Sequence, residues 1–147
     1  MKVSTRSDYA ARALLSLALH GRDGPTSVKE IAERTALPQP YLEQILLTAK
    51  GAGLVRSKRG VGGGYVLARP PEEITLAEIF SAVEGPLATP LGEHDHCEGH
   101  CVLQEVWVGV SEEMGRILEG YTLGDLVERT LVGHPSVASA RAATSSR

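Results

Sequence analysis

Aromatic side chains are scarce in this sequence: one Trp, one Phe and four Tyr make up 4% of its 147 residues. A core must therefore be filled by aliphatic groups, and with 42% hydrophobic residues the chain can fill one. Long hydrophobic runs are also missing. The longest, around Ala10–Leu19, is broken by Arg12 and Ser16 and is too short to span a bilayer, and no cleavage-type signal follows it. No membrane partner is expected, and a cytoplasmic location is. Cysteine is limited to Cys97 and Cys101. Two thiols four positions apart do not make the disulfide framework of a secreted domain, whereas close cysteines amid histidines in a cytosolic chain bind metal or respond to redox state.

Positive charge is nearly absent from the second half. Residues 70–147 carry four Lys/Arg against thirteen Asp/Glu, while residues 1–69 carry eleven against five, so a formal net charge of -3 hides a basic half and an acidic half. The basic half suits a polyanion, because neutralising phosphates releases condensed counterions, and the acidic half is repelled by the same surface.

Within the basic half, apolar positions Ala10, Ala13, Leu14, Leu17 and Ala18 recur at three- and four-residue spacing and predict a helix over residues 5–21. Ser27-Val-Lys-Glu30 has the form of a capping box and opens a short helix to about Thr35. Pro38 and Pro40 break it, yet proline is tolerated in a first turn, so a new helix starts there. Tyr41, Leu42, Ile45, Leu46 and Ala49 give it a core-facing stripe, and it stops near Gly51 or Gly53. Two β-type runs follow, Leu54–Ser57 and Tyr65–Leu67, around a basic tip in which Gly60, Gly62, Gly63 and Gly64 permit positive φ and close backbone approach to another molecule.

Helix, short turn, helix and basic hairpin together are the order of a winged helix-turn-helix, a more specific signal than any one element. In such a unit the start of the second helix faces the major groove, so Gln39, Tyr41, Glu43 and Gln44 are candidate base readers. Gln pairs with adenine, and Glu accepts from cytosine. Lys58 and Arg59, beside Gly60 and Gly62, are placed to meet phosphates or the minor groove. The plainer alternatives are a solvated helix face for Glu43 and Gln44 and an ordinary solvated hairpin for the wing.

Pro70-Pro71 separates this module from Thr75-Leu-Ala-Glu78, a second capping box that opens a helix through Ile79, Phe80 and Val83 to Gly85. The segment Glu93-His-Asp-His-Cys-Glu-Gly-His-Cys101 then gathers two thiols, three imidazoles and three carboxylates in nine residues. Thiolates and imidazoles are what zinc, copper and iron–sulfur centres take as ligands. The alternatives are a reversible thiol pair and a polar segment with incidental cysteines. Leu103, Val106, Trp107, Val110, Met114, Ile117 and Leu118 next form one stripe of a long amphipathic helix, suited to packing against its copy in a second subunit, with packing inside its own chain as the alternative. Thr122 to Asp125 caps a last helix through Leu131, and the Ala-, Ser- and Thr-rich residues 133–147 read as a disordered tail. An enzyme is disfavoured: no nucleophile–base pair is apparent, and the Gly60–Gly64 run lies between strands instead of opening a helix. A protein-binding adaptor is the other competing class.

The segments Lys2-Val-Ser, Asp8-Tyr-Ala-x-Arg12, Ile31-Ala-Glu33, Tyr41-Leu-Glu-Gln44, Gly53-Leu-Val55, Arg59-Gly-x-Gly-Gly-Gly-Tyr65 and Thr75-Leu-Ala-Glu-Ile79 resemble the Rrf2 family of bacterial transcription regulators over about residues 1–132. The resemblance implies a mainly α fold with a small β wing, acting as a homodimer on double-stranded operator DNA. It divides the chain into a DNA-binding part (1–69), a helix and sensor loop (70–101), and a dimerisation helix with a terminal helix (102–132). It also implies that the loop holds a [2Fe–2S] or [4Fe–4S] cluster. Related loops commonly carry three cysteines where this chain has two, so further ligands are expected from His94, His96 or His100, or from Asp8, which stands where some relatives supply a carboxylate from the partner subunit. Gln104 occupies the place of a histidine ligand in one branch of the family. Mixed Cys/His ligation favours [2Fe–2S], and zinc is the competitor.

Overall fold

The computed structural model describes residues 3–86 and 98–133. Helix α1 spans Thr5–His20, α2 Val28–Thr35 and α3 Gln39–Gly51; strands β1 (Val55–Lys58) and β2 (Gly64–Leu67) follow, then α4 (Leu76–Glu84), α5 (His100–Glu119) and α6 (Leu123–Gly133). The fold is mainly α with a two-stranded antiparallel wing.

Four of the helices begin where a side chain accepts from a free amide of the first turn. The Ser4 hydroxyl accepts from the Ser7 amide ahead of α1, and Ser27 with Glu30 and Thr75 with Glu78 form complete capping boxes on α2 and α4. Thr122 and Asp125 exchange the same pair of bonds ahead of α6. Proline opens α3 as the sequence predicts: Pro38 is its N-cap, and Pro40 lies in its first turn.

Helix α1 is the centre of the molecule and touches α2, α3, α4 and α6. Its Leu14 and Leu17 meet Ile31 of α2, Leu42, Ile45 and Leu46 of α3, Ile79 of α4 and Leu123 of α6 in one fully buried aliphatic core. Ala10 and Ala13, also buried, let the neighbouring helices approach closely. Tyr41, grouped by sequence with this stripe, is 39% exposed instead. It lies one residue before Leu42, off the buried face.

In the wing, Val55 pairs with Leu67, Arg56 with Val66, Ser57 with Tyr65 and Lys58 with Gly64. The first strand thus starts one residue later than its β-type run, because Leu54 is used in the turn: its amide donates to Ala49 and its carbonyl accepts from Ala68, both at 3.0 Å. A Thr26–Tyr65 bridge, with bonds of 3.0 and 2.8 Å, ties the base of the wing to the entrance of α2. The Arg69 guanidinium then fastens the end of the wing to α4 by donating to Glu78 at 2.6 Å and to the Glu73 carbonyl at 3.1 Å.

Helix α5 packs on α4 and has no buried residue along its 20 positions. Val102, Leu103, Val106, Trp107 and Ile117 are all about half exposed or more. Among the described residues, no helix is long and apolar enough to cross a membrane.

Candidate nucleic-acid interface and sensor segment

Burial of Leu42, Ile45, Leu46 and Ala49 fixes the rotation of α3 about its axis and leaves Gln39, Tyr41, Glu43 and Gln44 exposed near its N-terminus. Gln39 donates to Glu43 at 3.4 Å, a contact at the weak end of hydrogen bonding that a base edge can replace. The Tyr41 ring meets Tyr9 of α1 edge-on, centroids 5.5 Å apart and planes at 89°. Tyr9, Tyr41, Gln44, Pro38, Pro40 and Thr5 line a shallow, mostly apolar hollow beside the start of α3.

Lys58 and Arg59 are exposed at the wing, as are Gly60 and Gly62. Positive φ at Gly60 (98°) and Gly62 (73°) turns the tip. Gly63 is needed for a different reason, since a Cβ there would lie 2.3 Å from the Lys58 carbonyl oxygen. Sequence reasoning gave no role to Lys50, whose ammonium at the end of α3 donates 2.7 Å to the Ser57 hydroxyl of β1. This bond ties the end of the exposed helix to the wing, so the two candidate reading elements are linked. A basic residue in the last turn of a helix was the available signal, but its partner could not be read from spacing.

Of the six candidate metal ligands, Cys97, His94 and His96 lie outside the described residues. Helix α5 begins at His100, with Gly99 left-handed (φ 77°) before it, so Cys101 stands exposed on its first turn instead of in the preceding loop. His100, half-buried, is its neighbour. Asp8 is on α1, exposed, with one carboxylate oxygen 3.6 Å from the Arg12 guanidinium. Among the described residues no group of three or more His, Cys, Asp or Glu gathers as a metal site. The donor set in sequence, two thiols with one imidazole between them and two just before, nonetheless has the chemistry that a cluster or zinc requires.

Glu84 ends α4 shortly before this segment, and its carboxylate accepts from Ser4 and, at 3.0 Å, from the buried Ser7 of α1. Those two hydroxyls hold its carboxyl below the ordinary glutamate value. The start of α1 and the end of α4 are thereby joined.

The family model described as Rrf2, iron-dependent transcriptional regulator, matches residues 3–129. The chain belongs to the Rrf2 family. This Rrf2 protein is 37% identical over 130 residues to the HTH-type transcriptional regulator IscR of Aliivibrio salmonicida, covering 86% of this chain and 77% of that one. Among solved structures it resembles CymR, the global cysteine regulator of B. subtilis, with a TM-score of 0.73 and 35% identity over 87% of this chain and 97% of that one. It resembles T. potens IscR equally well, with a TM-score of 0.72 and 38% identity over 87% of each chain. The Rrf2 protein is accordingly a winged-helix DNA-binding transcription regulator, a non-enzymatic role.

Proposed function

We propose that this cytoplasmic regulator works as a homodimer that reads an operator through α3 and the wing, with binding switched at the Cys97/Cys101 segment by an iron–sulfur cluster. The observation that carries the DNA contact is the exposed row Gln39, Tyr41, Glu43 and Gln44 on a helix whose other face is locked in the core, beside exposed Lys58 and Arg59. Residues 1–69 are the DNA-binding part, and Gly60 and Gly62 let the wing backbone come close to the duplex. The exposed apolar side chains of α5, within residues 102–132, supply the dimer interface. Arg59→Ala tests the DNA contact: operator affinity falls, and the slope of log K against log salt shrinks by about one. An unchanged affinity and slope would remove the wing from the interface.

Cys97 and Cys101 would hold the cofactor by sulfur, with His94, His96, His100 or the partner's Asp8 completing the set. A [2Fe–2S] cluster suits a mixed thiolate and imidazole set better than [4Fe–4S] does, and would supply one-electron redox chemistry and lability to oxidants. Cys101 rides on α5, α5 packs on α4, and Glu84 of α4 grips Ser4 and Ser7 of α1. A shift at the thiols is thus passed to the helix that supports α3, and it alters how the two copies of α3 fit half-sites about one turn apart. The family description, iron-dependent transcriptional regulator, favours this reading.

A second reading, a regulator holding zinc or a thiol pair without a cluster, draws on the equal likeness to CymR, which is described as a cysteine regulator. Anaerobic purification with visible absorption and iron, sulfide and zinc assays separates them. Brown protein containing sulfide supports the cluster, and colourless protein with one zinc per chain supports the second reading. Identical footprints with and without cofactor, at fixed salt, would refute the switch.

A further inference from the structure

Tyr9 and Arg12 stand one turn apart on α1, on either side of the turn that joins α2 to α3. Arg12 donates from Nη2 to the Thr35 carbonyl oxygen at 2.7 Å. That carbonyl closes α2, where backbone acceptors lack helical partners and a cation is favoured by the helix dipole. The next residue, Ala36, is left-handed (φ 54°, ψ 39°), a conformation that alanine adopts reluctantly and that neighbouring contacts must hold. On the other side, Tyr9 meets the Tyr41 ring on the first turn of α3, and the Arg12 guanidinium lies 5.8 Å from the Tyr9 ring centroid. Asp8 balances the charge of Arg12.

One helix therefore grips the last carbonyl before the turn and the first exposed ring after it. The angle of α3 relative to α2 and the pose of Tyr41 are both set from α1. Base reading depends on such a pose to within about half an ångström, whereas the attraction between a basic face and phosphates hardly depends on it.

We propose that Tyr9 and Arg12 are positioning residues for operator recognition: they brace the helix-turn-helix so that α3 enters the groove in one orientation, and they contribute sequence specificity without contacting phosphate. This rests on the reading that α3 lies in the major groove.

The probe is a 30-base-pair duplex selected from a random library by the wild-type full-length protein, compared with a scrambled duplex of the same composition, over a salt series. Arg12→Gln and Tyr9→Leu lower the selected-to-scrambled affinity ratio about tenfold or more, leaving scrambled-duplex affinity and the salt slope unchanged. Tyr9→Phe keeps the ring edge and keeps the ratio. The brace is overturned if Arg12→Gln reduces the salt slope, which would make Arg12 a phosphate contact. It is equally overturned if both affinities drop together with the melting temperature, the mark of a purely structural role. Gln44→Ala serves as the control for α3 itself. If it lowers the ratio while Arg12→Gln and Tyr9→Leu do not, the brace alone is wrong; if it too leaves the ratio intact, the placement of α3 in the groove fails and the brace with it.

Discussion

A methyl group on Gly64 would sit 2.3 Å from the Thr26 carbonyl oxygen and 2.7 Å from the Ser27 amide nitrogen, and neither backbone atom can swing aside as a side chain would. Thr26 and Tyr65 exchange two backbone hydrogen bonds at this point, so the wing must separate from α2 to admit the extra carbon. Gly64→Ala is expected to cost about 2 kcal/mol of unfolding free energy, in line with forced backbone strain, in urea melts of the whole chain. Gly51, the last residue of α3, has nothing within 4 Å of its would-be Cβ, and Gly51→Ala is expected to stay within about 0.5 kcal/mol of the wild type. Equal losses at the two positions would mean that close approach at the wing base is not what selects glycine. The cluster of glycines was evident from sequence, but the separate reason at each position was not, since φ and close approach depend on what the chain meets after folding.

Helices α1, α2, α4 and α6 share one device, a side chain at the entrance that accepts from a free amide of the first turn. Ser27→Ala and Thr75→Ala are each expected to cost about 1 kcal/mol in thermal or urea unfolding. The carboxylates of these caps also make stability depend on acid. Glu30 is held below its ordinary value by the Ser27 amide and hydroxyl, and Asp125 by the same groups of Thr122. For Glu78 burial pushes upward, but the Thr75 amide and Arg69 outweigh it. A depressed carboxyl stabilises the fold fully above its unfolded value of about 4 and loses that contribution as pH falls through the lower folded value. The melting temperature should therefore fall from about pH 4 downward, and Glu84→Gln, which cannot ionise, should flatten that decline. A variant curve parallel to the wild type would deny Glu84 its part. These entrances were plain in sequence because a cap is local, its partner lying three residues away. The start of α5 was less plain: Gly99 gives no hydroxyl or carboxylate signal, and the apolar stripe begins only at Leu103. Cys101 was consequently expected in a loop and stands on a helix.

At the scale of the molecule, two features of the sequence find their use together. The aliphatic core needs only one face of each of α1, α3 and α4, so the apolar stripe on α5 is left over. The order of the winged helix and the candidate α3 face followed from local signals: apolar periodicity, the Ser27–Glu30 capping box, the Pro38 and Pro40 break and the glycine-tipped hairpin. The Lys50–Ser57 tie, the Arg12 contact with Thr35 and the Tyr9–Tyr41 pair did not, because they join residues that only the fold brings together. Trp107 is 52% exposed and Val106 49%, on a helix that packs chiefly on α4 among the described residues. A carboxylate at either place can remain in water in a lone chain but must be desolvated in a dimer, a cost of several kcal/mol per uncompensated charge. Val106→Glu and Trp107→Glu should then sediment with the mass of one chain and keep their helical circular dichroism, whereas the wild type should sediment with the mass of two. Operator affinity should fall by about 100-fold or more, because the second half-site contact ceases to be intramolecular. A variant that remains a dimer would place the subunit interface elsewhere, and the switch through Cys101 and α5 would lose its route to the second copy of α3.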